Sequence, residues 1–294
     1  MKKILITISI VLCAFIGFAQ EEDLGGDVLK NKKGIAILPE AGNIVVGIDA
    51  APIFQYAGNM FNAHTYNSLS DVDFMENQTQ IHLAYYLEDD KALRLRFGWD
   101  KINSVDRGFV ADDAKRYADP LSKAVVEDRR TSAYSLFNIG AGYEIHRTRG
   151  RLDGYFGGEA IFTYENTKTE YAYGNPITDL NNTPSTYYGT WDGNRRTLIE
   201  DYGNTIGFGL SGIIGVQYFF APNICVGAEF GWGILLSKSG QTDTRTEFWN
   251  GTQVQEEVNL ENGTPSSWSY RSGRGDITGN TYETSSSIFV KFHF

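Results

Sequence analysis

Arg94 and Arg96 stand two residues apart in Leu93-Arg94-Leu95-Arg96-Phe97, each guanidinium flanked on both sides by apolar side chains. Lys291 lies in the same way between Val290 and Phe292, Glu144 between Tyr143 and Ile145, and Glu229 between Ala228 and Phe230. His82, Glu159 and Asp49 also interrupt largely apolar stretches. A charge in such a setting has two uses. It can pair with an opposite charge in a dry interior, where an unpaired charge is costly. It can also line a narrow path for ions. Both uses require strands that turn these residues toward one another.

Other constellations carry less. Gly207-Phe208-Gly209-Leu210-Ser211-Gly212 matches G-x-G-x-x-G, but a dinucleotide site needs a strand before the glycines and a helix after them. Here apolar alternation runs straight through the motif, so the glycines belong to one strand. Gly207 and Gly209 then face the charged side, where they leave room for Arg and Glu side chains. No cofactor is predicted. The chain has four histidines, at 64, 82, 146 and 293, without metal-ligand spacing, and no metal is predicted.

The elements that position the charges are strands, recognised by alternation. Ile44, Val46, Ile48 and Ala50 share one face of a first strand, with Gly47 and Asp49 opposite. Ile81, Leu83, Tyr85 and Leu87 oppose Gln80, His82 and Tyr86. Leu93, Leu95, Phe97 and Trp99 oppose Arg94, Arg96, Gly98 and Asp100. Phe137, Ile139, Ala141, Tyr143 and Ile145 oppose Asn138, Gly140, Gly142, Glu144 and His146. Phe156, Ala160, Phe162 and Tyr164 oppose Asp153, Glu159 and Thr163. Ile206, Phe208, Leu210, Ile214, Val216, Tyr218 and Phe220 oppose Thr205, Ser211 and Gln217. Ile224, Val226, Ala228, Phe230, Trp232 and Ile234 oppose Cys225, Glu229 and Ser237. The last strand sets Ile288, Val290, Phe292 and Phe294 against Lys291 and His293.

None of the eight apolar faces carries a charge. Connections alternate between short ones, at 88–91, 147–151 and 221–223, and long ones, near 55–77, 101–130, 166–203 and 238–277. Transmembrane barrels have short turns at one end and longer loops at the other, and an Arg or Lys on the lipid side at mid-bilayer costs about 2–4 kcal/mol. The pattern therefore predicts an all-β fold: a closed, eight-stranded, antiparallel up-and-down transmembrane barrel with long external loops. Tyr218, Phe220, Phe292 and Phe294 would form the periplasmic girdle, and Phe97, Trp99, Phe162, Tyr164 and Ile234 the outer one. In the loops, Glu247 to Val254 reads as a hairpin turning at Asn250-Gly251, and Asn262-Gly263 is a second turn signal.

The chain ends agree with export. Lys2 and Lys3, the apolar run Ile4 to Phe18 and the small residues Gly17 and Ala19 predict a signal peptide over 1–19. Leu12 before Cys13 argues against a lipid anchor. Residues 20–42 read as a periplasmic leader, with Gly34 to Pro39 along the barrel mouth, and 43–294 as the barrel. Cleavage leaves Cys225 as the one cysteine, so no intramolecular disulfide forms. The net charge of −10, or −12 once Lys2 and Lys3 leave, disfavours nucleic acid as a partner. No long apolar run follows Phe18, so no transmembrane helix is expected.

Tyr218-Phe219-Phe220-Ala221-Pro222-Asn223, followed by Gly227-Ala228-Glu229-Phe230-Gly231-Trp232-Gly233, resembles a strand–turn–strand of small OmpA-like and OmpX-like outer-membrane barrels of the Bacteroidota. Ile37-Leu38-Pro39-Glu40-Ala41-Gly42-Asn43, then Gly47-Ile48-Asp49-Ala50, Pro52, Tyr56 and Gly58-Asn59, resembles the opening of barrels from that phylum. The resemblance implies insertion into the outer membrane of a Gram-negative bacterium, contact with lipid and lipopolysaccharide, and reading of Phe294 by the barrel-assembly machinery. It implies no particular activity. The peptidoglycan-binding domain of full OmpA-type proteins is not expected.

Inside such a barrel Arg94, Arg96, Lys291 and His82 are expected to meet Glu144, Glu159, Glu229 and Asp49 as a salt-bridged plug, with a narrow ion or small-solute channel as the alternative. An enzyme acting on lipid A or peptides is the third reading. His64 with Ser68, Ser70, Asp71 or Asp73 is its one conceivable site, in a spacing that matches no known motif, and no catalytic residue is assigned. Arg274-Gly275-Asp276 matches the integrin-binding tripeptide, which is short enough to arise by chance. Tyr171, Tyr173, Tyr187, Tyr188, Trp191, Phe248, Trp249 and Trp268 are expected either to pack the loops together or to form a surface patch that recognises sugars, proteins or another outer-membrane subunit. The expected role is structural or interaction-based: membrane integrity, surface adhesion or membership of an outer-membrane assembly.

Overall fold

The computed structural model describes residues 30, 34, 36–50, 80–259, 267–273 and 286–294. The signal-peptide span, His64 with its neighbouring serines and aspartates, Asn262-Gly263 and Arg274-Gly275-Asp276 lie outside the described residues, as do the side chains of Asp49 and Trp268.

The described chain is almost entirely antiparallel sheet. Its strands are β1 (Ile44–Asp49), β2 (Gln80–Glu88), β3 (Lys91–Ala111), β4 (Val125–Arg149), β5 (Leu152–Ala172), β6 (Trp191–Asp192), β7 (Arg195–Ala221), β8 (Ile224–Ser239), β9 (Asp243–Trp249), β10 (Val254–Asn259), β11 (Ser267–Gly273) and β12 (Ser286–His293). One short helix, α1 (Asp113–Ala118), sits between β3 and β4, capped by the Asp112 side chain, which accepts from the Lys115 amide.

Eight strands pair in a ring: β1–β2–β3–β4–β5–β7–β8–β12, and β12 back to β1. At the seam Val46 faces Phe292, and Ile44 and Phe294 exchange both backbone hydrogen bonds, at 3.0 and 2.8 Å. Alternation fixes which way each residue points. Leu93 is 47% exposed, Leu95 38%, Phe208 61% and Leu210 70%, whereas Arg94 and Arg96 are 5% and 6% exposed. Apolar side chains thus cover the outside of the ring and charges fill the inside. A water-soluble sandwich sorts them the other way.

At one end the connections are two-residue turns: Asp89-Asp90, Gly150-Arg151 and Pro222-Asn223. Gly150 and Asn223 take φ of 62° and 63°, the left-handed region such tight turns use. Ile37 is buried at this end against Phe219 and Cys225, with Leu38 packed beside it.

At the other end the strands overrun the ring. The stretches read as loops from sequence are largely paired. β3 and β4 stay in register to Ala111 opposite Val125, leaving only 112–124 as connection. β5 runs on to Ala172, and β7 begins at Arg195. β7 pairs with β8 over Thr205–Ala221 and with β9 over Arg195–Asp201. The change of partner falls at Gly240, whose N–H donates to the Asn204 carbonyl at 2.7 Å. β9 and β10 form the expected hairpin, with a four-residue loop, Asn250 to Gln253, in place of a two-residue turn. The result is an outer sheet in the order β3–β4–β5–β7–β9–β10, continuous with the ring.

Candidate functional site: the ring interior and the outer sheet

Arg94 is the hub of the interior. Its Nη1 lies 2.8 Å from Glu144 Oε1 and 2.8 Å from Glu229 Oε2, and its Nε lies 3.2 Å from Glu159 Oε2. Arg96 pairs with Glu159 Oε1. Tyr155 donates its hydroxyl to Glu229 Oε2 at 2.7 Å. Glycine on the neighbouring strand makes this possible: a Cβ at Gly142 would lie 2.7 Å from the Glu159 Cβ. Arg94, Arg96 and the three glutamates, all predicted to converge, do converge.

Lys291 and His82 are placed differently from the expectation. The Lys291 ammonium lies 4.3 Å from the Phe289 ring centre and 4.7 Å from that of Tyr155, between two aromatic faces, and among the described residues it forms no salt bridge. His82 tilts against Phe289, and its Nε2 is buried without a hydrogen bond. The reason is the pair of large inward aromatics, Tyr155 and Phe289, which the reading of the charges overlooked. Parity could have found them: Tyr155 shares its face with Asp153 and Glu159, and Phe289 with Lys291.

A second layer lies toward the short-turn end. His146 is bracketed by two carboxylates, Nδ1 to Asp153 Oδ2 at 2.8 Å and Nε2 to Glu144 Oε2 at 3.2 Å. Gln217 donates to the same Asp153 oxygen at 2.7 Å, and Thr148 to the other at 3.1 Å. The Cys225 thiol contacts Gln217 Oε1 at 3.5 Å and His293 Nε2 at 3.6 Å. A His between two acids is half of a hydrolytic device. Here His146, both acids, Gln217 and the thiol are buried, the thiol points at Gln217, and Ile37 packs against it. The arrangement holds charge in place. Among the described residues no group of three or more His, Cys, Asp or Glu is placed to hold a metal ion.

The outer sheet presents a different surface. Cross-strand register sets Ser104, Ser132, Thr169, Glu200, Thr244 and Asn259 side by side across six strands. Glu200 Oε2 accepts from the Tyr171 hydroxyl at 3.3 Å and from Tyr202 at 3.5 Å. In the adjoining row Asp106 pairs with Arg130 at 2.7 Å, and the Arg130 guanidinium lies 5.3 Å from the centre of the Tyr188 ring.

Residues 173–192 fold over the far end of this sheet as a cap. Asp128, fully buried, accepts from the amides of Gly174 and Tyr187, both at 2.8 Å. Asn175 donates to the carbonyls of Ala111 and Ser185. Arg196 stacks on Tyr173 and Trp191, donates to the Asn175 carbonyl and pairs with Glu247 at 2.6 Å. Tyr171 stacks on Tyr173, and Tyr188 meets both Tyr171 and Tyr187 edge-on. Mutual packing therefore accounts for most of the loop aromatics. Asp128, Asn175 and Arg196 were missed from sequence because nothing in the local pattern marks them as buried.

Neither a protein-family model nor a curated protein sequence matches the chain.

Proposed function

We propose that the chain is an integral outer-membrane β-barrel of OmpA-like and OmpX-like type, with a structural or interaction role at the cell surface. The observation that carries this reading is the inverted sorting of the ring, apolar and exposed outside, charged and buried inside. In hydrocarbon every strand must find partners, which a closed ring supplies. Spanning takes about 9–11 residues per strand. β4 and β7 have 25 and 27, so the remainder projects as the outer sheet. The short-turn end with Ile37 then faces the periplasm and the outer sheet faces the exterior, beside lipopolysaccharide. That no described helix is long and apolar enough to cross a membrane says nothing about strands. The signal-peptide reading of 1–19 supports export. Membrane fractionation with a heat-modifiability gel tests the proposal. Recovery in the outer membrane, with a mobility shift on boiling, is expected. A protein that stays soluble without detergent would sink it.

A second reading, a gated channel, has one observation in its favour: a continuous run of ionisable groups along the lumen. The hub at Arg94 closes that path, so the wild type should pass little current in planar bilayers, and Arg94→Ala with Arg96→Ala should pass more. High wild-type conductance would favour the channel.

A further inference from the structure

We infer that residues 36–43 are a hinged latch that closes the short-turn mouth of the ring. The closure belongs to the ring itself and does not rest on the membrane reading.

The latch has a tip and a base. At the tip Ile37 is buried against Phe219 and Cys225, with Leu38 packed beside it and Pro39 also buried. These contacts seat the tip on the second polar layer. The Phe219 ring centre lies 5.1 Å from that of His293, and the Cys225 thiol reaches both Gln217 and His293. Asp153 and His146 follow through Gln217. Ile37 is therefore the apolar cover over the thiol end of a buried polar network. Arg94 closes the ring at a separate level, through three carboxylates. The interior has two closures in series, one ionic and one apolar.

Only the base is tied to the ring by hydrogen bonds. The Ala41 amide donates to Asp89 Oδ1 at 2.8 Å, and the Asn43 side chain donates to the Phe294 backbone oxygen at 3.2 Å. The Gly42 amide donates to the Tyr86 carbonyl at 2.8 Å, and the Tyr86 amide to the Asn43 carbonyl at 3.0 Å. Among the described residues, Ile37 to Pro39 make no such bond to the ring. Glycines bracket the tip in the left-handed region, Gly34 with φ 81° and Gly42 with φ 92°. Gly42 is the third residue of a turn closed by the Asn43 amide on the Glu40 carbonyl at 3.1 Å. No atom lies within 4 Å of a Cβ at either glycine, so what each supplies is backbone freedom. A tip held by apolar burial and joined through glycine to a bonded base leaves its seat without opening any strand ladder. Such a segment belongs to the low-stability end of local unfolding.

The test reads Cys225, the one thiol left in the full chain once Cys13→Ser removes the other. The folded chain is treated with a water-soluble methanethiosulfonate reagent, and ring integrity is followed in parallel by limited proteolysis. Labelling of the Cys13→Ser parent should be slow when folded and fast when unfolded. Ile37→Ala and Ile37→Asp should each raise the folded-state rate about tenfold or more, because apolar burial is what holds the tip. Gly42→Ala keeps every tip side chain but strains a left-handed backbone, and should raise the rate about fivefold. Leu121→Ala, exposed at the opposite end, should leave it unchanged. The inference is overturned if the folded parent labels as fast as the Ile37 variants, or if the Ile37 variants leave the rate unchanged while the ring stays protease-resistant. It is also overturned if labelling rises only together with loss of that resistance. An effect of the Ile37 variants without one of Gly42→Ala would overturn the hinge and leave a fixed stopper. A chain that fails membrane fractionation yet labels as expected would remove the barrel reading and leave the latch standing.

Discussion

Arg94 and Glu229 grip each other at two points, Nη1 to Oε2 at 2.8 Å and Nη2 to Oε1 at 3.0 Å, across the full width of the ring. They sit on β3 and β8, four strands apart by either route around it. One side chain thus braces opposite walls while also holding Glu144 on β4 and Glu159 on β5.

Replacing Arg94 with Met takes the paired cation from buried Glu229 and one of two partners each from Glu144 and Glu159, which keep His146 and Arg96. Breaking a buried pair from one side costs about 3–5 kcal/mol. The urea midpoint of the refolded protein should fall accordingly. Adding Glu229→Gln should recover part of the loss, because one uncompensated charge is removed. An unchanged midpoint in the single variant would show that the brace contributes nothing.

Leu95 faces outward beside Leu83 and Ala141. If the belt meets lipid, Leu95→Arg should cost about 2–4 kcal/mol and reduce the heat-modifiable fraction, with Leu95→Met close to wild type. In a water-facing wall the Arg variant would be harmless, and equal recovery of the two variants would count against the membrane.

Asp128 anchors the cap through two amides. Asp128→Ala leaves both donors without their acceptor, a loss of about 1–3 kcal/mol. Limited proteolysis should then cut within 173–192 faster than in the wild type, with the heat-modifiable ring unaltered. Equal cleavage rates would mean that other contacts hold the cap.

The Tyr173 phenol donates to the Thr197 carbonyl and lies 2.5 Å from Thr190 Oγ1, and burial raises its pKa well above the ordinary value of about 10. A raised pKa on an acid means that the folded cap binds the proton more tightly than the opened one. Its contribution is full below about pH 10 and is lost as the pH climbs past it. Protease sensitivity in 173–192 should rise above that pH, and Tyr173→Phe should flatten the rise. Tyr171, Tyr188 and Tyr202, also raised by burial, act in the same direction.

Much of the ring was legible because one rule governs it. A period of two, read through Leu93 to Trp99 or Ile206 to Phe220, fixes strand, face and burial together. The same rule placed Arg94, Arg96, Glu144, Glu159 and Glu229 in one interior. It failed above Trp99 because each face there mixes polar and apolar residues, Asn103 and Arg107 alongside Val105 and Phe109, and Ser104 alongside Ile102, so paired strands looked like loops. The positions of Lys291 and His82 depend on Tyr155 and Phe289, and their contacts are set by how strands stagger around the ring, which no local pattern records. The row across the outer sheet was invisible for a like reason: Ser104 and Asn259 lie far apart in sequence and come into line only through five successive registers.

The seam between β1 and β12 gives the molecule a late step in its assembly. Most ring neighbours follow one another closely along the chain and can zip as each hairpin emerges. Val46 must wait for Phe292. Until that partner arrives, the half-built wall carries two raw edges, and a chaperone or an insertion catalyst that shields those edges would act on the one interval in which the protein is open to misassembly.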